Sequence, residues 1–230
     1  MLKYETLLID ADNTILDFSG GEKLAFAKVM EYANLENTPK LHQTYHKINR
    51  NLWDALERGE IERDLILSGE RYKQLFSYLN IDKDGEEAEK IFLNELCKCD
   101  LTVENAVEVI GKLAVNYKLY CVTNGFYISL ISRLTNTGLI KYFDDVFVSE
   151  NIGYEKPNPC YFDYVFRKIG EDKKANTMII GDSLHADMKG GIDSNITTCW
   201  YNPLRKEKDL DLNIDYEIND LKELYDILGD

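Results

Sequence analysis

Short runs of apolar residues alternate along this chain with stretches in which apolar residues recur every three or four positions. The short runs predict strands, at Thr6–Ile9, Lys118–Thr123, Asp145–Val148, Met178–Ile180 and Thr197–Trp200. The longer patterns predict helices, at about Val103–Asn116, Tyr127–Thr137, Pro159–Ile169, Leu184–Ser194 and Asp220–Leu228. Because strands and helices alternate from residue 101 onwards, we predict an α/β fold with a doubly wound, Rossmann-like parallel sheet.

Residues 16–98 interrupt this alternation, because they carry helical patterns and no convincing strand. Ser19 and Glu22 have the spacing of a capping box that opens a helix. Thr38 followed by Pro39 is typical of the start of a second helix. We therefore predict an α/β core domain of residues 1–15 and 99–230, with an all-helical domain of residues 16–98 inserted after the first strand.

Composition narrows the class of protein. The chain has 230 residues, 44% of them hydrophobic, and a formal net charge of −14. Such an acidic chain is not suited to a nucleic acid polymer, whose phosphates require basic patches. No apolar run is long enough to span a membrane, and no signal-peptide pattern is visible. The five cysteines lack the spacing of a zinc site. We expect reduced thiols and a cytoplasmic location.

Polar residues follow four of the predicted strands, at the edge where parallel sheets bind ligands. They are Asp10 and Asp12, then Thr123, Asn124 and Gly125, then Lys156, and finally Asp182 and Asp187. Carboxylates without histidine partners are the hard ligands that Mg²⁺ prefers, and Mn²⁺ can replace it. The Thr123 loop at a helix start suits phosphate oxygens, and Lys156 can neutralise charge. This set favours phosphoryl transfer, in which one aspartate attacks phosphorus and another handles a proton.

Each of these patterns also has an ordinary structural explanation. The first aspartates could cap a turn, residues 123–125 could be a plain strand-to-helix turn, and Lys156 could be a solvated loop lysine. Asp182 and Ser183 could both be helix N-caps. His185 fits a surface position. Phe18 and Trp53 could stack on a nucleobase, although Trp53 could equally belong to a helical core.

Four motifs in fixed order strengthen the functional interpretation. They are Asp10-Ala11-Asp12-Asn13-Thr14, Thr123-Asn124-Gly125, Lys156-Pro157-Asn158-Pro159, and Gly181-Asp182-Ser183-Leu184-His185-Ala186-Asp187. On these motifs the chain resembles the haloacid dehalogenase-like superfamily. The resemblance implies that residues 16–98 form the helical cap that closes over the active site in this superfamily.

The resemblance also implies a role for each motif residue. Asp10 would be the nucleophile that forms an aspartyl-phosphate, and Asp12 the general acid and then the base. Mg²⁺ would bind the carboxylates of Asp10 and Asp182 and the backbone carbonyl of Asp12. Asp187 would support the metal site or orient Lys156, while Thr123, Asn124 and Lys156 would hold the phosphoryl group. Dehalogenases of the superfamily lack the second acid, so Asp12 indicates a phosphate-processing member.

Within the superfamily, four segments resemble the bacterial pyrimidine 5′-nucleotidase branch: residues 10–18, 49–53, 122–126 and 186–192. This resemblance implies a Mg²⁺-dependent phosphomonoesterase that acts on pyrimidine (deoxy)nucleoside monophosphates. We expect the protein to be a monomer or weak homodimer. A phosphatase of sugar phosphates or other small metabolites is the main alternative, and a phosphomutase is another. A catalytically silent binding protein on the same fold is the most distant alternative, because it would be expected to lack Asp10, Asp12 or Asp182.

Overall fold

The computed structural model describes residues 3–208 and 210–229. Residues 1, 2, 209 and 230, which the predicted core domain includes, lie outside the described residues. The strands are β1 Thr6–Ile9, β2 Lys118–Thr123, β3 Asp145–Val148, β4 Thr177–Gly181, β5 Thr197–Tyr201 and β6 Tyr216–Ile218. The α-helices are α1 Phe18–Ala33, α2 Pro39–Glu57, α3 Arg63–Leu67, α4 Glu70–Tyr78, α5 Gly85–Cys97, α6 Ala106–Leu113, α7 Tyr127–Asn136, α8 Ser149–Ile152, α9 Pro159–Ile169, α10 Gly190–Asp193 and α11 Leu224–Leu228.

The six strands form one parallel sheet in the order β3-β2-β1-β4-β5-β6. The prediction of a doubly wound parallel sheet is therefore confirmed, and the five predicted strands match to within one residue at each end. The strand β6 was not predicted. The central strand β1 lies between β2 and β4, with Ile9 in register with Cys121 and Ile180. The strand order reverses at β1, which is where open α/β sheets bind their ligands.

Both faces of the sheet are covered. Leu7 and Ile9 of β1 point into a core shared with α6, α7 and α11, whereas Leu8 points into a core shared with α9. All three side chains are at most 1% exposed. Burial of each contributes about 1.5–3 kcal/mol. The continuous apolar run of β1 is thus explained by a strand that is buried on both faces.

Three core helices differ from the predictions. The helix predicted from Val103 begins only at Ala106, because Asn105 has a left-handed backbone (φ 64°) and Val103 N bonds to Ile15 O at 3.2 Å. The segment predicted as one helix from Leu184 divides into a π-helical turn, Leu184–Lys189, and α10. The last predicted helix begins as a 3₁₀ turn, Leu221–Glu223, before α11.

The chain forms two compact units, one of which runs to Phe18 and resumes at Asp100, while the other is Ser19–Cys99. All regular elements among residues 19–99 are helical, α1 to α5. That this unit acts as a cap, with domain limits at residues 16 and 98, stays a prediction.

The start of α1 differs from the prediction. The helix begins at Phe18, so Ser19 lies in its first turn, and the predicted capping box of Ser19 and Glu22 stays a prediction. The chain is fixed just before this point, because Asp17 N bonds to Leu101 O at 3.1 Å. Thr38 does cap α2, accepting a hydrogen bond from Leu41 N at 3.3 Å.

A buried polar network lies inside the Ser19–Cys99 unit. The Arg71 guanidinium makes two bonds to Glu89, of 2.7 and 2.5 Å. It also donates to Tyr45 Oη at 3.1 Å and to Asn49 Oδ1 at 3.0 Å. Arg71 and Glu89 are at most 2% exposed. Because a buried charge is costly without partners, this network requires each of its members.

The structure also bears on the cysteines and on the lengths of the helices. All five cysteines are free, and burial raises the pKa of Cys199 to about 12. Among the described helices, none has the length and apolar character needed to cross a membrane.

Candidate active site

The carboxyl end of β1 delivers Asp10 into a nearly closed position. Asp10 N donates to Ile180 O at 2.9 Å, so the sheet pairing continues one residue past the strand. Its side chain has a donor on each oxygen: Lys156 Nζ lies 2.8 Å from Oδ1, and Thr14 Oγ1 lies 3.1 Å from Oδ2. Asp10 is 7% exposed. One carboxylate is thus held in a fixed orientation at the end of the central strand.

Lys156 is the cation of the site. Its ammonium also donates to Asp187 Oδ1 at 2.6 Å and to Val122 O at 2.9 Å. With Asp10 this makes three acceptors for three N–H groups, so the ammonium is saturated. Burial alone would lower the pKa of Lys156, but Asp10 and Asp187 outweigh it and the pKa is raised. Lys156 therefore stays charged and is not the solvated loop lysine of the ordinary explanation.

Asp187 reaches the site through the π-helical turn after β4. Both Asp187 N and Met188 N bond to Ser183 O at 3.1 Å, and Ser183 caps the turn by accepting from Ala186 N. Asp187 Oδ2 accepts from Ser183 N at 3.1 Å. The wider turn places the Asp187 side chain beside Lys156, and single π turns of this kind occur frequently at functional sites.

Asp182 completes the acidic side of the site. Its backbone is tied in place, because Asp182 N donates to Thr14 Oγ1 at 3.1 Å and Trp200 Nε1 donates to Asp182 O at 3.0 Å. Burial, followed by the charge of Asp187, raises its pKa to about 7. Burial also raises the pKa of Asp10, an effect that Lys156 opposes and Asp187 and Asp182 reinforce.

These carboxylates fit a divalent cation. One oxygen each of Asp10, Asp182 and Asp187 lies within 4.8 Å of the others. Three carboxylates face a single ammonium, so negative charge is in excess, and all the donors are hard oxygens as Mg²⁺ prefers. The Asp12 carboxylate is not among this group. The expectation that its backbone carbonyl would bind a metal stays a prediction.

The Asp12 carboxylate is held separately. Arg133 Nη1, from α7, lies 2.5 Å from Asp12 Oδ1. The other oxygen, Oδ2, faces the Thr123–Gly125 loop, at 3.4 Å from the point where a Cβ on Gly125 would lie. Arg133 also bonds to Ser129 O at 3.2 Å and lies 5.5 Å from the centroid of the Phe18 ring. Phe18 thus packs against the residue that holds Asp12.

The Thr123 loop connects the site to the lysine loop. Thr123 Oγ1 accepts from Gly125 N at 3.1 Å, which leaves the hydroxyl proton able to donate. The side-chain amide of Asn124 pairs with the Lys156 backbone through two bonds of 2.8 Å. Asn124 therefore positions Lys156, and its predicted contact with a phosphoryl group stays a prediction.

The structure brings Asp10, Lys156, Asp182 and Asp187 together at the carboxyl edge of the sheet. Trp53 lies on α2 in the Ser19–Cys99 unit, with Arg63 5.6 Å from its ring centroid, and its role in substrate binding stays a prediction. His185 is exposed, as expected of a surface residue.

Sequence reasoning missed Arg133, Thr14 and Trp200. Arg133 had a visible signal: it occupies the apolar stripe of α7 between Leu130 and Leu134, where an unpaired cation would be costly. The sequence shows Thr14 only as part of a motif, although its hydroxyl links Asp10 to Asp182. Trp200 shows only the pattern of a strand residue.

The fold and this site define a class of α/β proteins that carry clustered aspartates and a lysine at the carboxyl edge of a parallel sheet. The model of the haloacid dehalogenase-like hydrolase family matches residues 4–195. The chain therefore belongs to the haloacid dehalogenase-like hydrolases, and the prediction of a hydrolase of this superfamily is confirmed.

Relatives match over nearly the whole chain. YfnB of Bacillus subtilis (strain 168) is 39% identical over 100% of this chain and 97% of its own length. A crystal structure of YfnB bound to magnesium superposes with a TM-score of 0.91, covering 99% of both chains. The pyrimidine 5′-nucleotidase PynA of Streptococcus pneumoniae is 31% identical, covering 98% of this chain and 95% of PynA. The pyrimidine 5′-nucleotidase YjjG of Escherichia coli is 28% identical, covering 99% of both.

Proposed function

We propose that this hydrolase is a Mg²⁺-dependent phosphomonoesterase that hydrolyses pyrimidine nucleoside 5′-monophosphates through an aspartyl-phosphate. The observation that carries the phosphatase chemistry is the pair of aspartates after β1. Asp10 is oriented by Lys156 and Thr14, and Asp12 is held by Arg133 with one oxygen facing the Thr123 loop. Similarity to PynA and YjjG over almost the full chain supports the nucleotide substrate.

The first half of the reaction transfers the phosphoryl group to the protein. An Asp10 oxygen attacks phosphorus in line as the bond from phosphorus to the 5′-oxygen breaks. Protonated at Oδ2, Asp12 donates its proton to the departing 5′-oxygen, so the nucleoside leaves neutral. The nearby positive charge of Lys156 and the proton of the Thr123 hydroxyl stabilise the charge on the phosphoryl oxygens.

The second half releases phosphate. The carboxylate of Asp12 accepts a proton from water as the water oxygen attacks phosphorus, and the bond to Asp10 breaks. Asp12 is then protonated and Asp10 is again a carboxylate. Two steps with opposite proton transfers thus require one group that is free to gain and lose a proton, which suits an Asp12 oxygen that Arg133 does not occupy.

Asp10, Asp182 and the backbone carbonyl of Asp12, supported by Asp187, would hold Mg²⁺. When bound, it would supply positive charge to the phosphoryl oxygens and offset the excess negative charge of the carboxylates. The magnesium-bound structure of YfnB supports this assignment.

The test is phosphate release from a panel of phosphomonoesters with Mg²⁺ present. We expect pyrimidine 5′-monophosphates to have the highest kcat/KM and hexose phosphates to be poor substrates. Asp10→Asn should abolish turnover, whereas Asp163→Asn, at an exposed position on α9, should not. A preference for hexose phosphates would replace the nucleotidase assignment with the sugar-phosphatase alternative, and no release from any ester would overturn the phosphatase proposal.

A further inference from the structure

A second group of potential metal ligands lies in the Ser19–Cys99 unit, apart from the proposed catalytic residues. Glu22 comes from α1, and His42 and His46 lie one turn apart on α2. One ligand atom of each lies within 4.8 Å of the others. Two histidines at positions i and i+4 face the same side of a helix, which is the spacing by which helices present imidazoles to zinc.

The Glu22 carboxylate is buried beside these imidazoles. Its side chain is 3% exposed, and Oε2 lies 3.3 Å from His46 Nε2. Oε1 accepts a long hydrogen bond of 3.4 Å from Asn49 Nδ2. A metal ion bound at this place would offset the cost of burying the carboxylate.

His42 contributes a ring nitrogen without a protein partner. Its Nε2 is buried and accepts or donates no hydrogen bond within the described part of the chain. The His42 and His46 ring centroids lie 4.3 Å apart, with the rings nearly perpendicular at 88°. Burial, with smaller contributions from His46 and Lys23, lowers the pKa of His42. Histidine binds metals through a ring nitrogen of its neutral form.

We propose that Glu22, His42 and His46 form a second metal site, selective for a divalent transition ion of the Zn²⁺ class. Two imidazole nitrogens and one carboxylate oxygen are a common ligand set for zinc, with the fourth position left to water. Imidazoles favour Zn²⁺ over Mg²⁺, so this site and the all-carboxylate group of Asp10 have opposite preferences.

The bound ion would join α1 to α2 inside the Ser19–Cys99 unit. An ion that binds only the folded state stabilises it by mass action. It would also neutralise Glu22, next to the network of Asn49 and Arg71. We therefore expect Zn²⁺ to raise the unfolding temperature of the protein when Mg²⁺ already saturates the carboxylate group.

Nuclear magnetic resonance of the imidazoles provides a test that needs no variant. The chain has three histidines, so each ring can be followed separately. The protein, without an affinity tag and in excess Mg²⁺, is titrated with Zn²⁺. We expect the signals of His42 and His46 to shift together and saturate at one equivalent, while His185 stays unchanged. No change at His42, or equal changes at all three rings, would overturn the proposal.

Variants identify the ligands by isothermal titration with Zn²⁺ in the same buffer. His42→Asn and His46→Asn should each weaken binding at least tenfold, and His185→Asn should leave it unchanged. Asp182→Asn separates this site from the carboxylate group: retained Zn²⁺ binding supports the proposal. Loss of Zn²⁺ binding in Asp182→Asn, with normal binding in His42→Asn, would assign the ion to the carboxylate group and reject the second site.

Discussion

Arg133 and Asp12, which are 121 positions apart in the chain, form an ion pair in which Nη1 lies 2.5 Å from Oδ1. The Arg133 side chain is 5% exposed and that of Asp12 is 24% exposed. Because the guanidinium is also anchored to Ser129 O and packed against Phe18, it has little freedom to move. Arg133 therefore acts as a positioning residue that fixes the direction of the Asp12 carboxylate.

Loss of this anchor should slow the first phosphoryl transfer. We expect Arg133→Gln to lower kcat/KM for a nucleoside monophosphate by about 10- to 100-fold, because a small misplacement of a catalytic group has effects of this size. The loss should be much smaller for p-nitrophenyl phosphate, whose leaving group departs without a proton. Arg167→Gln, on the exposed side of α9, is the matched control. Equal losses for both substrates would contradict a role exerted through Asp12.

Removal of the Lys156 ammonium should destabilise the protein as well as inactivate it. Lys156→Met leaves Asp10 and Asp187 buried without their cation, and breaking a buried ion pair in this way costs about 3–5 kcal/mol. Chemical denaturation in EDTA measures this change, with Lys168→Met, an exposed lysine on α9, as control. We also expect Mg²⁺ to stabilise Lys156→Met more than the native protein. A stability equal to that of the native chain would show that the carboxylates are not charged.

Stability without metal should depend on pH through Asp182. Its folded pKa of about 7 lies above its ordinary value of 3.8. The folded state thus holds the Asp182 proton more tightly than the unfolded state does. The resulting stabilisation of the folded state is full below pH 4 and is lost as pH rises through 7. We expect the metal-free protein to unfold at a lower temperature at pH 8 than at pH 5. The free energy of unfolding should be lower at pH 8 by an amount on the order of a few kcal/mol.

Asp182→Asn provides the control for this pH effect, because the amide cannot ionise. The variant should lose part of the pH dependence between 5 and 8 and be more stable than the native protein at pH 8 in EDTA. Mg²⁺ should stabilise the native protein more at pH 8 than at pH 5, since it binds the ionised carboxylates. An unchanged pH profile in Asp182→Asn would assign the effect to another group.

Gly181 should tolerate no side chain. A Cβ at this position would overlap the Asp187 carboxylate, so Gly181→Ala should displace Asp187 from Lys156 and from Ser183 N. We expect a loss of about 1–3 kcal/mol, typical of overpacking in a well-packed core, measured by denaturant unfolding. Gly125→Ala is the comparison, because its Cβ would meet nothing closer than 3.4 Å. Similar stabilities for the two variants would mean that the residues around Asp187 can shift.

The Arg71–Glu89 pair should show strong coupling in a double-mutant cycle. Arg71→Leu alone leaves Glu89 buried and unpaired, for an expected cost of about 3–5 kcal/mol. The double variant Arg71→Leu, Glu89→Leu should recover much of this loss, because no isolated charge remains. Thermal unfolding of the single and double variants measures the coupling, and simple additivity would contradict it.

Elements that depend on a local sequence pattern could be predicted, whereas elements that depend on distant residues could not. The five apolar strands and the helix α9 could be located from the sequence, because burial on both faces of a sheet or on one face of a helix imposes a local periodic pattern. The strand β6 was missed because its three residues, Tyr216–Ile218, include the charged Glu217. It exists through pairing with β5, which no local pattern encodes.

The sequence by itself determined where the five predicted strands lie along the chain and which polar residues follow them, because these depend on neighbouring positions in the chain. Tertiary structure alone decided the partners: Arg133 for Asp12, Asn124 for the Lys156 backbone, and Thr14 between Asp10 and Asp182. The physical reason is that a buried charge must find its partner in space. Which residue arrives there depends on how the helices pack on the sheet.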